Sequence, residues 1–294
     1  MARRYSKGMP VTLLGAAEIR ALAADLDVTP TKKLGQNFVV DANTVRKIVH
    51  VAQVTGDERV VEIGPGLGSL TLAILETGAA VTAVEIDHRL AERLPDTAAA
   101  HGVPDGALTV MDADALRVTE LVGDPTVLVA NLPYNVSVPV LLHFLETFPT
   151  IERGVVMVQA EVGERLAAGP GSKVYGAPSA KAAWYGPWRL AGTVSRQVFW
   201  PVPNVDSVLV AFSRDSTPRG TDIERRRTFG IVEAAFGQRR KMLRQSLSAV
   251  LGGSAAAAAA VLEQAGVAPT ARAEELGIDD FARVAALAPG ADTD

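Results

Sequence analysis

The 294-residue chain contains no cysteine. This excludes disulfides and thiolate metal sites, and it fits a cytoplasmic protein. Histidine is scarce as well. His50, His88, His101 and His143 stand nowhere within three to five residues of one another, so there is no local zinc pattern and no metal is expected. No run of about 18 strongly apolar residues occurs, which argues against a membrane helix. The N-terminal MARRYSKGMPVTLL has too short an apolar stretch for a secretory signal. An overall basic excess is also missing, the net charge being −4. The chain is 48% hydrophobic and 21% charged, which suits a soluble globular protein of about two domains, and a monomer is expected.

The net charge conceals two basic segments. Residues 1–50 carry eight basic side chains against four acidic ones. Residues 221–244 carry Arg225, Arg226, Arg227, Arg239, Arg240, Lys241 and Arg244 against three acids. An acidic body with such segments can still grip a phosphate backbone, although a basic run on a helix is more often a solvated face.

From residue 58 the pattern alternates. ERVVEIGPG (58–66), AAVTAVEID (79–87), ALTVMDADAL (107–116), PTVLVANLP (125–133) and the start of RGVVMVQAEVGERLAA (153–168) read as strands, with helical spacing between them. Asp41 is placed to cap a helix running to about Val54, and residues 11–26 read as a short amphipathic helix. Such alternation predicts a parallel sheet with helices on both faces and a ligand crevice at the carboxyl ends of the strands. Residues 169–188 are rich in Gly and Pro, and two strand-like runs follow, RLAGTVSRQVFW and VDSVLVAFSR. Beyond Asp215 only helical texture remains. The expected domains are therefore 1–214, α/β with a basic N-terminal extension, and 215–294, all-helical.

The polar residues at the strand ends share one kind of chemistry. Gly64, Gly66 and Gly68 sit between a strand and a helix, where glycine allows a tight turn and close backbone approach to a ligand. Their G-x-G-x-G spacing is not that of dinucleotide sites, and no G-K-[ST] follows. Glu85 ends the next strand about 20 residues on, where a carboxylate can accept ribose hydroxyls. Asp114, after the third strand, can accept an adenine amine or cap the turn that follows. A ribose, an adenine and no phosphate suit S-adenosylmethionine. The fourth strand ends in Asn131-Leu132-Pro133-Tyr134. An adenine N6 amine is a weak nucleophile because its lone pair is delocalised into the ring. The Asn131 side-chain oxygen and the Leu132 carbonyl can accept its hydrogens, Pro133 can fix the turn, and Tyr134 can stack on the base.

E-I-G-P-G-x-G after the first strand and N-L-P-Y after the fourth resemble the rRNA adenine N6-dimethyltransferases. The likeness extends to KKLGQNFVVD (32–41), EVGERLAAGPGSKVYG (161–176) and VFWPVPNVDSVLV (198–210). FGQRRKMLRQSL (236–247) and RAEELGIDDFARVA (272–285) look like the helical C-terminal domain of the small-subunit branch. The resemblance implies a Rossmann-like methyltransferase domain with a smaller all-helical domain. It implies S-adenosylmethionine as cofactor, with S-adenosylhomocysteine as product. As substrate it implies two adjacent adenines in the 3′-terminal hairpin of 16S rRNA, dimethylated late in 30S assembly. Carried over residue by residue, it places cofactor contacts on Asn37, Val39, Gly64, Glu85, Asp114 and Asn131, where Val39 stands in place of the family's commoner Leu. It also makes Phe199 a second stacking aromatic opposite Tyr134, although by residue type alone Phe199 reads as core.

Two other readings compete. One is an adenine N6-methyltransferase acting on 23S rRNA or DNA, but DNA enzymes usually carry [DNS]-P-P-[YFW], and here Leu132 intervenes. The other is a non-catalytic ribosome-assembly factor, whose mark would be a broken cofactor motif.

Overall fold

The computed structural model describes residues 10–28, 37–133 and 136–289. Its elements run α1 (Ala16–Asp25), β1 (Phe38–Val39), α2 (Ala42–Val51), β2 (Arg59–Ile63), α3 (Ser69–Leu75), β3 (Ala80–Glu85), α4 (His88–Ala100) and β4 (Leu108–Asp112). They continue with β5 (Val127–Asn131), α5 (Ser137–Thr147), β6 (Arg153–Gln159), α6 (Ala160–Leu166), α7 (Ala177–Ala183), β7 (Trp188–Val194), β8 (Phe199–Trp200) and β9 (Ser207–Ser213). The last helices are α8 (Asp222–Gly237), α9 (Leu243–Ser246), α10 (Ala255–Gln264) and α11 (Ile278–Ala286). Among the described residues no helix is long and apolar enough to cross a membrane.

The chain divides into two compact units, Met1–Gly163 with Arg189–Ser213, and Glu164–Trp188 with Arg214–Asp294. One division between the units falls between Ser213 and Arg214. The segment from Glu164 to Trp188, which the sequence leaves in the first domain, groups instead with the helices.

The first unit holds a seven-stranded sheet of order β4-β3-β2-β5-β6-β9-β7. The five strands from β4 to β6 pair in parallel, and β9 joins β6 antiparallel, with Met157 opposite Leu209. The sheet is therefore mixed, not wholly parallel. Residues two apart on the strands, Val127 with Val129 and Val155 with Met157, share one apolar cluster with Val45 and Ile48 of α2 and Ile74 of α3. Their neighbours Leu128, Ala130 and Val156 are equally buried. Burial on both faces explains why these strands read as unbroken runs of Val, Leu and Ala. Asp41 caps α2 as its position suggests, its carboxylate accepting from Thr44 N at 2.8 Å.

Two local expectations change. RLAGTVSRQVFW is not one strand. Ser195 caps a 3-10 turn over Arg196–Val198, which separates β7 from β8, and β8 pairs antiparallel with β1 in a sheet of its own. The Gly/Pro-rich region also contains a helix. Ala-rich α7 starts after Gly176, whose N–H donates to Ser179 Oγ at 3.0 Å.

In the second unit α8 opens with a capping box, in which Thr221 N donates to Glu224 Oε2 at 2.6 Å. Among the described residues after Ser213 there is no strand. Tyr175, Phe236 and Phe281 form part of the core, with Tyr175 and Phe236 centroids 5.8 Å apart and Phe236 and Phe281 6.0 Å apart.

Candidate active site

The strand order reverses between β2 and β5, so the chain leaves these two neighbours in opposite directions along the sheet. A crevice forms at such a point beyond the carboxyl ends of the strands. A cavity of about 280 Å³ opens there, lined by the turn after β2, the ends of β3 and β5, and residues beyond β4. It brings together most residues that the sequence singles out. Gly64 and Gly66 line it, as do Glu85, Asp114 and Asn131. So do Leu132, Pro133, Asn37 and Val39. Tyr134 lies outside the described residues.

The glycine turn is shaped by both conformation and space. Gly66 has φ +59°, and a Cβ added there would stand 3.0 Å from the Phe38 ring. Gly66→Ala is therefore expected to cost about 1–3 kcal/mol. A chemical-denaturation midpoint equal to wild type would contradict this.

Glu85 is almost fully buried. Its Oε2 accepts from Gly66 N at 3.0 Å and its Oε1 from Asp87 N at 3.0 Å. Burial raises the pKa of its carboxyl, and the amides of Asp87 and Gly66 oppose that rise. The carboxylate is thus locked in orientation by the loop it faces, with acceptor capacity left for a hydroxyl. Asp114 Oδ1 accepts from Leu116 N at 2.9 Å, so this side chain caps its turn and also lines the cavity.

Asn131 Nδ2 donates to the Asn37 carbonyl at 3.1 Å. That bond sets the orientation of the amide, and among the described residues Oδ1 has no hydrogen-bond partner and is the available acceptor. Leu132 N donates to Met157 O at 3.1 Å, which extends the β5–β6 ladder one residue past the strand end.

Three further lining residues received no role from the sequence. Glu62 lies inside a buried strand at 1% exposure, and its Oε2 has no hydrogen-bond partner among the described residues. Burial pushes its carboxyl up to about 8. The Thr71 hydroxyl opposes this, and the charge of Glu85 adds to it. A charged residue in the middle of VVEI was the available signal. Ile86 and Leu116 are exposed apolar side chains on the cavity wall, suited to the two faces of a flat base. Nothing in the sequence distinguished them from ordinary loop residues.

The residues present fit S-adenosylmethionine. The locked Glu85 carboxylate suits ribose hydroxyls, apolar side chains suit an adenine, and the buried Glu62 carboxyl, one oxygen of which has no partner among the described residues, suits a cationic amino acid end.

Two assignments need correction. Phe199 is 2% exposed, belongs to the apolar cluster of Val39, Ile48 and Leu209, and does not line the cavity. The β1–β8 pairing sets Phe199 opposite Val39 and Trp200 opposite Phe38. Side-chain alternation then turns Phe199 inward and leaves Trp200 the more exposed, stacked on Phe38 with centroids 6.3 Å apart. Arg225 is no surface cation. It is 4% exposed, shares the buried face of α8 with Thr228, Val232 and Ala235, and lies over the Phe229 ring at 5.4 Å. Of the other basic residues, Arg226, Arg240 and Lys241 are exposed, and Arg227, Arg239 and Arg244 are half-buried.

The family model of ribosomal RNA adenine dimethylase matches residues 29–288. The chain belongs to this family. As a ribosomal RNA adenine dimethylase it has the fold and activity class of a Rossmann-like, S-adenosylmethionine-dependent methyltransferase. It is 68% identical to ribosomal RNA small subunit methyltransferase A of Leifsonia xyli subsp. xyli, over 93% of this chain and 98% of that protein. It is 59% identical to the protein of the same name from Streptomyces coelicolor, over 95% and 98%. Among solved structures, the 23S rRNA methyltransferase ErmE is similar at TM-score 0.63 and 27% identity, over 85% of this chain and 99% of that one. A dimethyladenosine transferase from Plasmodium falciparum shares the fold at TM-score 0.72 and 24% identity, over 83% and 94%.

Proposed function

We propose that this dimethylase transfers methyl groups from S-adenosylmethionine to N6 of two adjacent adenines in the 3′-terminal hairpin of 16S rRNA. Each adenine is dimethylated, on the small subunit or its precursor in the cytoplasm. The observation that carries the site assignment is the Asn131 side chain at the β2/β5 switch point, held through Nδ2 so that Oδ1 is its open acceptor. The names of the relatives and the basic segment 221–244 of the helical unit support the small subunit as substrate.

S-adenosylmethionine supplies an electrophilic methyl group on a sulfonium. Glu85 would hold the ribose hydroxyls of the cofactor, Asp114 its adenine amine, and Ile86 and Leu116 would pack against its base. Asn131 Oδ1 and the Leu132 carbonyl accept the N6 hydrogens of the target adenine, which favours a pyramidal nitrogen with its lone pair directed at the methyl. No strong general base is required, and positioning supplies most of the acceleration. The exposed Arg226, Arg240 and Lys241, with Arg227 and Arg244, contact rRNA phosphates.

The test is transfer of a radiolabelled methyl group to unmethylated 30S particles, with mapping of the modified bases. Two adjacent dimethyladenines in the 3′ hairpin are expected. Transfer to 23S rRNA or DNA with none to 30S particles would replace this reading with one of its competitors.

A further inference from the structure

We propose that Lys173 is a phosphate contact of the rRNA-binding surface, and that Arg239 is the strut that holds it there, not itself a contact. This rests on the reading of the helical unit as the part that grips rRNA.

Three segments distant in sequence meet in that unit. Gly171 N donates to Glu274 O at 2.7 Å, Leu243 N to Ala271 O at 2.8 Å, and Arg244 N to Pro269 O at 3.1 Å. Arg239 ties the first of these segments to the other two. Its Nη2 donates to the Lys173 carbonyl at 2.8 Å, and its Nε to Glu274 Oε2 at 2.9 Å. Its guanidinium is thus spent on protein acceptors, and its charge is already met by a carboxylate. A phosphate gains little from a cation so compensated.

Lys173 is in the opposite condition. It is exposed, and among the described residues its ammonium has no ion-pair partner. Its backbone is fixed beside the strand of chain that carries the exposed Arg240 and Lys241. The loop before it includes Gly169 and Gly171, and a Cβ added at either would meet nothing within 4 Å. That side of the loop is open to a bulky partner. A flexible ammonium on a pinned backbone, in the unit that also carries the exposed Arg240 and Lys241, has the chemistry for a polyanion backbone. The sequence hides this, because Lys173 lies 66 residues from Arg239 in a stretch whose Gly and Pro give no sign of the pairing.

The experiment measures binding of the full chain to unmethylated 30S particles across a salt series. Lys173→Ala, Arg239→Gln, their double variant and Arg240→Glu are compared with wild type, each with its thermal midpoint recorded. Lys173→Ala should weaken binding several-fold at low salt and flatten the slope of log K against log salt by about 0.7–0.9, one phosphate contact. Arg239→Gln should do the same, and the double variant should be no worse than either single change. A wild-type slope for Lys173→Ala beside a flattened one for Arg240→Glu would overturn this inference and leave the broader reading standing. Additive losses in the double variant would make Arg239 a contact and overturn its role as a strut. Wild-type slopes for every variant would overturn the rRNA-surface reading, and this inference with it.

Discussion

Asn131→Ala lowers methyl transfer to unmethylated small subunits by about 10²- to 10³-fold, the usual scale for removing one polar group aimed at the reacting centre. The fold should survive. Asn131 is the last residue of β5, its backbone pairs with Met157, and the substitution removes one side-chain hydrogen bond, to Asn37 O. The loss of stability is then about 1 kcal/mol. Asn131→Asp separates the two duties of the amide. It keeps an acceptor but removes the donor that Asn37 O accepts from, so it should retain part of the activity with a weakened hold on Asn37. Turnover near wild type in Asn131→Ala would remove the amide oxygen from the mechanism. Transfer equal in the Asp and Ala variants would show that the acceptor itself contributes nothing.

Glu62→Gln makes the ligand-free protein more stable above pH 8 and removes a pH dependence that the wild type carries. The sign follows from proton binding. Unfolded, the carboxyl titrates near 4.5; folded, burial pushes it up to about 8. Between those values the native state holds a proton that the unfolded state has released, so stability falls as pH rises and the contribution is gone above the folded value. A shift of this size corresponds to roughly 5 kcal/mol. Glutamine keeps the shape and has no proton to lose. The measurement is urea denaturation of both proteins at pH 5 and pH 8.5, expecting the gap between them to open only at the higher pH. Parallel behaviour at both values would mean that Glu62 is solvated in solution. Glu62 lines the cavity, so its ionised form should also favour a ligand with a cationic amino acid end. S-adenosylhomocysteine should then bind wild type more tightly at pH 8.5 than at pH 6.5, and Glu62→Gln about equally at both.

What could be read in the chain and what could not differ in range. The alternation of strands and helices, the glycine turn after VVEI, Glu85 about 20 residues later and N-L-P-Y after an apolar run are local patterns. Each reflects a rule that acts within a few residues: side-chain period, positive φ, or a turn that ends a strand. Those rules suffice to place Gly64, Glu85, Asp114 and Asn131 at successive strand ends, and a parallel sheet brings successive strand ends to one edge. The family and its chemistry were legible for the same reason.

The rest depended on phase and partner. Arg225 sits one position from Arg226 and looks equivalent to it in sequence, but the rotation of α8 buries one and exposes the other. Phe199 and Trp200 exchange roles because β8 pairs with β1, about 160 residues earlier in the chain. Residues 164–188 join the helical unit because α7 packs on α8, a contact that no Gly/Pro count predicts. Glu62 was visible as an acid in a strand, but that one of its oxygens would lack a partner is a property of everything packed around it. The sequence by itself determined which groups this protein brings to its strand ends and what they can do to an adenine. Only the tertiary structure decided which aromatic is core, which arginine is buried and which carboxyl keeps its proton, because burial is set by neighbours far away in the chain.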